Sequence, residues 1–251
     1  MTASATEVYL AAMVARCDRM QQADSRRVDE PGLHGLLSAT GPLTRLLVTD
    51  DRALAPLVEL LPHVPAGSIN VLATAPRCTG LLGTTSGWRP NPTTAMVRRD
   101  LDTVPALGLP SELTLRRVRR TADDPVDGVP LADAVAVAAR ADSSIPDPGE
   151  LATYLSSLPA IGLFAAVDGA GTARATSGYG VFGTYASVIF VDTDPGWQRR
   201  GIGSAMTAAA LRAAAGAGAC RASLDASDVA LPIYRRLGFE EVGPLTQFVR
   251  A

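Results

Sequence analysis

Between residues 186 and 215 the chain passes from an apolar, β-branched run through a basic, glycine-containing turn into an alanine-rich segment, and that order fixes a strand–turn–helix unit. Ala186-Ser187-Val188-Ile189-Phe190-Val191 reads as a buried strand, and Ser204 to Ala215 has high helix propensity. The first N–H groups of a helix lack intrahelical acceptors, and the helix dipole adds partial positive charge where they converge. An anion belongs there. Gly201 and Gly203 remove side chains where main chain must approach a ligand, while Arg199 and Arg200 can add charge at the rim. A plain loop with exposed arginines uses the same letters, so the turn needs its context.

Two other phosphate-binding patterns are excluded. The dinucleotide fingerprint requires Gly-x-Gly-x-x-Gly, whereas Gly201-Ile202-Gly203 is followed by Met206. The P-loop needs a lysine, and all 23 basic residues of this chain are arginine. Schiff-base and lysine-base chemistry leave the list for the same reason.

The spacing of Pro195, Gln198, Arg200, Gly201 and Gly203 ahead of a small-residue helix resembles the acyl-coenzyme A motif of the GCN5-related N-acetyltransferases, the GNAT superfamily. Downstream, Arg221 to Leu224 reads as the next strand, and Ala230-Leu231-Pro232-Ile233-Tyr234-Arg235-Arg236-Leu237-Gly238-Phe239 is similar to the family's tyrosine-bearing helix. The resemblance implies an α/β (α+β) GNAT fold, a mixed central sheet flanked by helices. It implies acetyl-CoA as cosubstrate, a small primary amine as acceptor, direct attack in a ternary complex, and no metal. Main chain of Gln198, Arg199, Arg200, Gly201, Ile202, Gly203 and Ser204 would hold the diphosphate. Backbone of Val191 and Thr193 would pair with the pantetheine arm, and a free amide around 191–193 would face the thioester oxygen. Tyr234 stands where the family places a proton donor near the thioester sulfur. Ser227 matches an asparagine that contacts the cofactor arm in many relatives, although a helix N-cap explains a serine there equally well.

With 251 residues and a hydrophobic fraction of 47%, the chain has room for two cores. Asp102 to Ser111 combines two prolines and a glycine, and places a boundary near residue 108. The expected domains are therefore 1–108 and 109–251. After the boundary, strands are expected at 113–118, 161–167, 174–182 and 186–191, with helices at 131–140 and 147–157, the second starting near Pro148. Asp168-Gly169-Ala170-Gly171 reads as a hairpin turn. Before it, residues 1–22 read as a helix, and strands at 46–49 and 69–74 flank a helix at 51–60. That first half resembles the degenerate N-terminal half of two-domain bacterial GNAT proteins, which lacks the glycine cradle. The likeness implies closure over the acceptor pocket or homodimer formation.

Net charge is −2 with no dense basic run, so nucleic acid is not an expected partner. Cys17, Cys78 and Cys220 are far apart and odd in number, and with only His34 and His63 as imidazoles neither a disulfide framework nor a zinc site is indicated. The N-terminal residues lack a secretory pattern and no 18-residue apolar stretch occurs, so a cytoplasmic protein with no membrane partner is expected.

The general base is open. Asp192 and Asp194 flank the cradle, Asp225 and Asp228 follow the next strand, and a water relay needs no dedicated residue. Two further readings stand beside the small-molecule enzyme: a catalytically silent acyl-CoA-binding regulator, and a protein N-acetyltransferase.

Overall fold

Short apolar runs bounded by glycine, proline or aspartate become strands in the computed structural model, which describes residues 3–20, 25–38, 44–64, 67–121, 124, 127–141, 147–158 and 161–250. In chain order the elements are α1 (Ala5–Met20), β1 (Ser25–Glu30), β2 (Leu33–Ser38), β3 (Arg45–Val48), α2 (Leu54–Leu60), β4 (Gly67–Leu72), α3 (Pro76–Thr84) and β5 (Arg89–Arg98). They continue with β6 (Leu113–Arg119), β7 (Val129–Pro130), α4 (Leu131–Ala141), α5 (Pro148–Ser157), β8 (Ile161–Asp168) and β9 (Ala173–Phe182). The last are β10 (Tyr185–Thr193), α6 (Ile202–Gly216), β11 (Arg221–Ala226), α7 (Leu231–Arg236) and β12 (Glu240–Arg250). The class is the expected mixed α/β. Two compact units divide the chain: 1–97 with 225–232 and 239–251, and 98–224 with 233–238. A single cut near residue 108 does not describe this division, because β12 belongs with the first unit.

In the first unit the strand order is β1-β2-β3-β4-β12-β5, with β3 and β4 parallel and the other pairs antiparallel. β4 is buried at every residue, the polar Ser68 and Asn70 included. Ile69 and Val71 join Leu46 and Val48, and α2 and α3 add Leu57, Leu60, Cys78 and Leu82 to that core. Alternation puts Asn70 on the other face, beside Leu47 of β3 and Gln247 of β12 in register. The expected helix over 1–22 runs Ala5–Met20, with 1, 2, 21 and 22 outside the described residues. Ser4 and Glu7 start it reciprocally: the Ser4 hydroxyl accepts the Glu7 N–H at 3.2 Å, and the Glu7 carboxylate accepts the Ser4 N–H at 2.6 Å. The β1–β2 hairpin has no counterpart among the sequence expectations. It turns at Pro31-Gly32, with Gly32 at φ +76°, and β1 buries only Val28, too little alternation to read as a strand.

In the second unit the order is β11-β10-β9-β8-β6-β7, with β10–β11 and β6–β7 parallel and the rest antiparallel. Asp168 tightens the β8–β9 hairpin by accepting the N–H groups of Ala170 and Thr172, each at 2.9 Å. Asp147 accepts the Gly149 N–H at 2.7 Å and starts α5 at Pro148, as proline at a first turn allows. α6 packs on β8, β9 and β10, where Ile202 and Met206 join Leu113, Phe164, Ala166 and Ala175. Ser177 donates its hydroxyl to the Met206 carbonyl at 2.9 Å and pins the helix to β9.

Candidate functional site

β10 is regular until Ile189. Between Ile189↔Gly178 and Asp192↔Thr176 it carries two residues opposite one, and Phe190 takes φ +57°, so a β-bulge interrupts the strand. A bulky residue in the left-handed region is uncommon and marks a backbone held by its surroundings. On the other side, pairing with β11 runs only from Tyr185↔Arg221 to Ser187↔Ser223. Beyond Ser187, therefore, the two parallel strands make no further pairs among the described residues. Val191 and Thr193, expected to offer backbone groups to a ligand, fall in that stretch.

The turn after β10 is tied at both ends. The Asp194 N–H donates to the Arg174 carbonyl at 2.8 Å, and Asp194 Oδ1 accepts the Gly196 N–H at 3.2 Å. Asp194 Oδ2 meets Arg140 at 2.9 Å and Arg174 at 3.6 Å. This carboxylate is occupied in holding the turn, which counts against it as a base. Gln198 Nε2 donates to the Thr193 carbonyl at 3.1 Å, so its side chain closes the loop. Arg199 sits at φ +59° and Gly201 at φ +78°. Gly201 is the N-cap of α6, with no side-chain hydrogen bond to satisfy the first-turn amides. A Cβ at Gly201 would meet nothing within 4 Å, so glycine stands there for its conformation. At Gly203 the nearest atoms to such a Cβ are Ile233 Cδ1 at 3.5 Å and Thr193 Oγ1 at 3.9 Å, an ordinary contact. The helix start presents uncapped amides beside glycines that leave room for a ligand.

The neighbouring side chains differ from the simple expectation of two rim arginines. The Ile202 side chain is buried in the core at 1% exposure, which leaves its main chain as the part available to a ligand. Arg200 forms an ion pair with Glu112, 88 positions away, and lies 4.5 Å over the Trp197 ring. Trp197 also receives Arg174 at 5.6 Å, and half-buried it packs against the core beneath α6. Neither Glu112 nor the cation–π stack has a signal in the motif itself.

Tyr234 lies on α7, 7% exposed. Burial, and then the negative charge of Asp192, push its phenol up to about 12. The phenol is therefore protonated throughout the neutral range, and Asp192 is its electrostatic neighbour. Ser227 uses its carbonyl, which accepts the N–H groups of Ala230 at 2.9 Å and Leu231 at 3.1 Å. Asp228 stands exposed in the turn that follows. Asp225 is hydrogen-bonded by Tyr9 and Asn70, two residues that sequence reasoning did not connect with it. A polar side chain inside the apolar Ile69–Leu72 run was the available signal. His34 pairs with Asp29 at 2.8 Å in the β1–β2 hairpin. Among the described residues no helix is long and apolar enough to cross a membrane, and no three or more His, Cys, Asp or Glu gather as a metal ion would require.

Residues 163–249 match the family model described as an acetyltransferase (GNAT) domain. No curated protein matches the chain by sequence. Among solved structures, a GCN5-related N-acetyltransferase from Kribbella flavida is 21% identical, with a TM-score of 0.66 over 100% of this chain and 96% of that one. A putative GNAT-family acetyltransferase from Novosphingobium aromaticivorans is 18% identical, with a TM-score of 0.56 over 97% and 99% of the two chains. A GCN5-related N-acetyltransferase from Sphaerobacter thermophilus is 16% identical, with a TM-score of 0.56 over 96% and 91%. At these identities the likeness establishes the fold, which is the GNAT fold over the whole chain.

Proposed function

We propose that this chain is a GCN5-related N-acetyltransferase that moves an acetyl group from acetyl-CoA to a primary amine of a small molecule by direct attack in a ternary complex. The observation that carries this reading is the start of α6, where Gly201 turns left-handed and leaves the first-turn amides without a side-chain cap. Those amides suit a diphosphate, with Arg199 at the rim and Arg200 drawn to Glu112 and Trp197. The interruption of β10 at Phe190, where pairing to β11 has already ended, supports main chain of Val191 and Thr193 as partners for the pantetheine amides. Side-chain changes at 191 and 193 should then alter binding little.

In the reaction the amine nitrogen attacks the thioester carbonyl carbon, the new C–N bond forms as the C–S bond breaks, and the sulfur leaves with the bonding pair. Tyr234 donates its phenolic proton to that sulfur, and the proton lost by the amine restores the balance. A phenol pushed up to about 12 is a reliably protonated donor, although a weaker acid than an ordinary tyrosine. A backbone amide near the bulge supplies the hydrogen bond that polarises the carbonyl oxygen. The test is to incubate the purified chain with acetyl-CoA and a panel of small amines and to follow thiol release. Amine-dependent release supports the enzyme. Coenzyme binding without release from any amine or peptide would support a silent acyl-CoA-binding protein, and release with peptides alone a protein N-acetyltransferase.

A further inference from the structure

In the first unit, α1 and the outer strands β1, β2 and β3 leave a cavity of about 240 Å³ between them. Leu10, Met13, Val14 and Cys17 of α1 wall one side, spaced i, i+3, i+4 and i+7 as a single helix face. Leu47 of β3 walls the other. Its neighbours Leu46 and Val48 belong to the core beneath α2 and α3, so alternation turns Leu47 to the opposite face, where α1 lies. Apolar side chains between a helix and a sheet usually interdigitate until little space remains, yet Leu10 and Val14 stay only half-buried. The helix face is left with apolar surface that nothing in the unit fills.

Among the described residues that line the cavity, Arg27, His34 and Arg45 are basic and none is acidic. Arg27 of β1 and Arg45 of β3 pair in register with Leu36 of β2 from either side, so the two share a face and stand two strand spacings apart, roughly 10 Å at Cα. Arg45 Nη1 donates to the Thr44 carbonyl at 2.8 Å, which anchors it in the lining. Asp18 pairs with Arg27, and Asp29 meets His34 at 2.8 Å, but both acids lie outside the lining. The Arg27–Asp18 pair is half exposed, so it contributes little, and one carboxylate does not use up the five donors of a guanidinium. Burial pushes the Cys17 thiol up, and the charges of Arg16, Arg27 and Arg45 oppose that rise while Asp18 adds to it. The cavity wall is apolar, and guanidinium groups stand in reach of it.

An apolar pocket with a few placed cations selects a molecule with an apolar body and an anionic head, and the planar guanidinium fork matches a carboxylate. Since a dry cavity of about 150 Å³ takes a six-carbon ring, this one has room for roughly ten non-hydrogen atoms. We propose that the cavity binds a small monocarboxylate with an apolar body of about eight carbons, its tail against Leu10, Val14 and Leu47 and its carboxylate between Arg27 and Arg45. The site lies wholly in the first unit and does not depend on the acyltransferase reading.

The probes are octanoate and octanamide, which has the same size and no charge. Calorimetric titration of the full chain should show octanoate bound at least about tenfold more tightly than octanamide, the difference expected of hydrogen bonds to a charged group. Arg45→Met should bring the two probes within about twofold of each other. Val14→Trp fills the cavity from a half-buried position and should abolish octanoate binding, and Ala11→Phe, from the same wall, should do likewise. Circular dichroism and thermal melting report whether each variant is folded, and octanoate should raise the melting temperature of the parent but not of the filled variants. Equal affinity for the two probes, no heat from octanoate, or octanoate binding retained in a folded filled variant would each overturn the proposal. Where neither filled variant folds, Arg45→Met decides: an undiminished preference for octanoate there refutes the site, and a lost preference supports it.

Discussion

At Gly201 the backbone takes φ +78°, and a Cβ would meet no atom within 4 Å, so alanine fits the space but not the conformation. An L-residue in the left-handed region costs about 1–2 kcal/mol. Gly201→Ala is therefore expected to lower stability by about that amount in denaturant titration and, as the turn relaxes, to weaken coenzyme A binding by about tenfold. Tyr234→Phe removes the proposed proton donor and keeps the ring; kcat should fall by about 10²–10⁴ with KM for acetyl-CoA little changed. The pH dependence follows from the raised phenol pKa. Since Tyr234 is pushed from its ordinary 10.0 up to about 12, kcat should show no loss from phenol ionisation through pH 10. In stability, the folded chain keeps this proton between about 10 and 12 while the unfolded chain loses it, so stability falls as pH rises through that window. Melting temperature measured from pH 9.5 to 11.5 should drop less steeply in Tyr234→Phe.

The start of α6 is placed by its own buried face, since Ile202 and Met206 sit in the core with Ala175 of β9. Met206→Ala should cost about 2–5 kcal/mol and weaken the coenzyme along with the fold, because the helix end that carries the amides loses its seat. The Glu112–Arg200 ion pair competes with any anion for the guanidinium. Exposed pairs contribute little, so Glu112→Gln should tighten coenzyme A binding by no more than about fivefold, less at high salt. Local chemistry made several of these elements legible in the sequence. Proline at the first turn of α5, Asp-Gly between β8 and β9, and alanines after Gly203 each act on their own neighbours. What stayed hidden depends on distant partners. α3 is started by Asp51, whose carboxylate accepts the N–H groups of Arg77 at 2.9 Å and Cys78 at 3.2 Å. Asp225 meets Tyr9 across 216 positions and Asn70 across 155, and no period within a window reports such pairs. The proposed cradle was legible because glycine spacing is a local signal of where main chain can approach a ligand.

At the scale of the molecule, the first unit takes its last strand from the far end of the chain. β12 pairs with β4 through Leu245↔Leu72 to Arg250↔Gly67 and with β5 through Glu240↔Val97 to Val249↔Arg89. A fragment of residues 109–251 would keep the cradle and Tyr234 but strip both partners from β12, exposing two strand edges. Such a fragment should be poorly soluble and lack a cooperative melting transition, whereas the full chain melts cooperatively; a fragment with a cooperative transition would show that the second unit folds without β4 and β5. Main-chain amides at 198–204 are proposed to grip the diphosphate of coenzyme A so that its thiol end points to Tyr234. The most direct measurement is calorimetric titration of the full chain with coenzyme A and, separately, with pantetheine, which has the same arm and thiol but no diphosphate. Coenzyme A is expected to bind at least about a hundredfold more tightly, and Gly201→Ala to erode that advantage. Equal affinities, or no heat from coenzyme A, would contradict it.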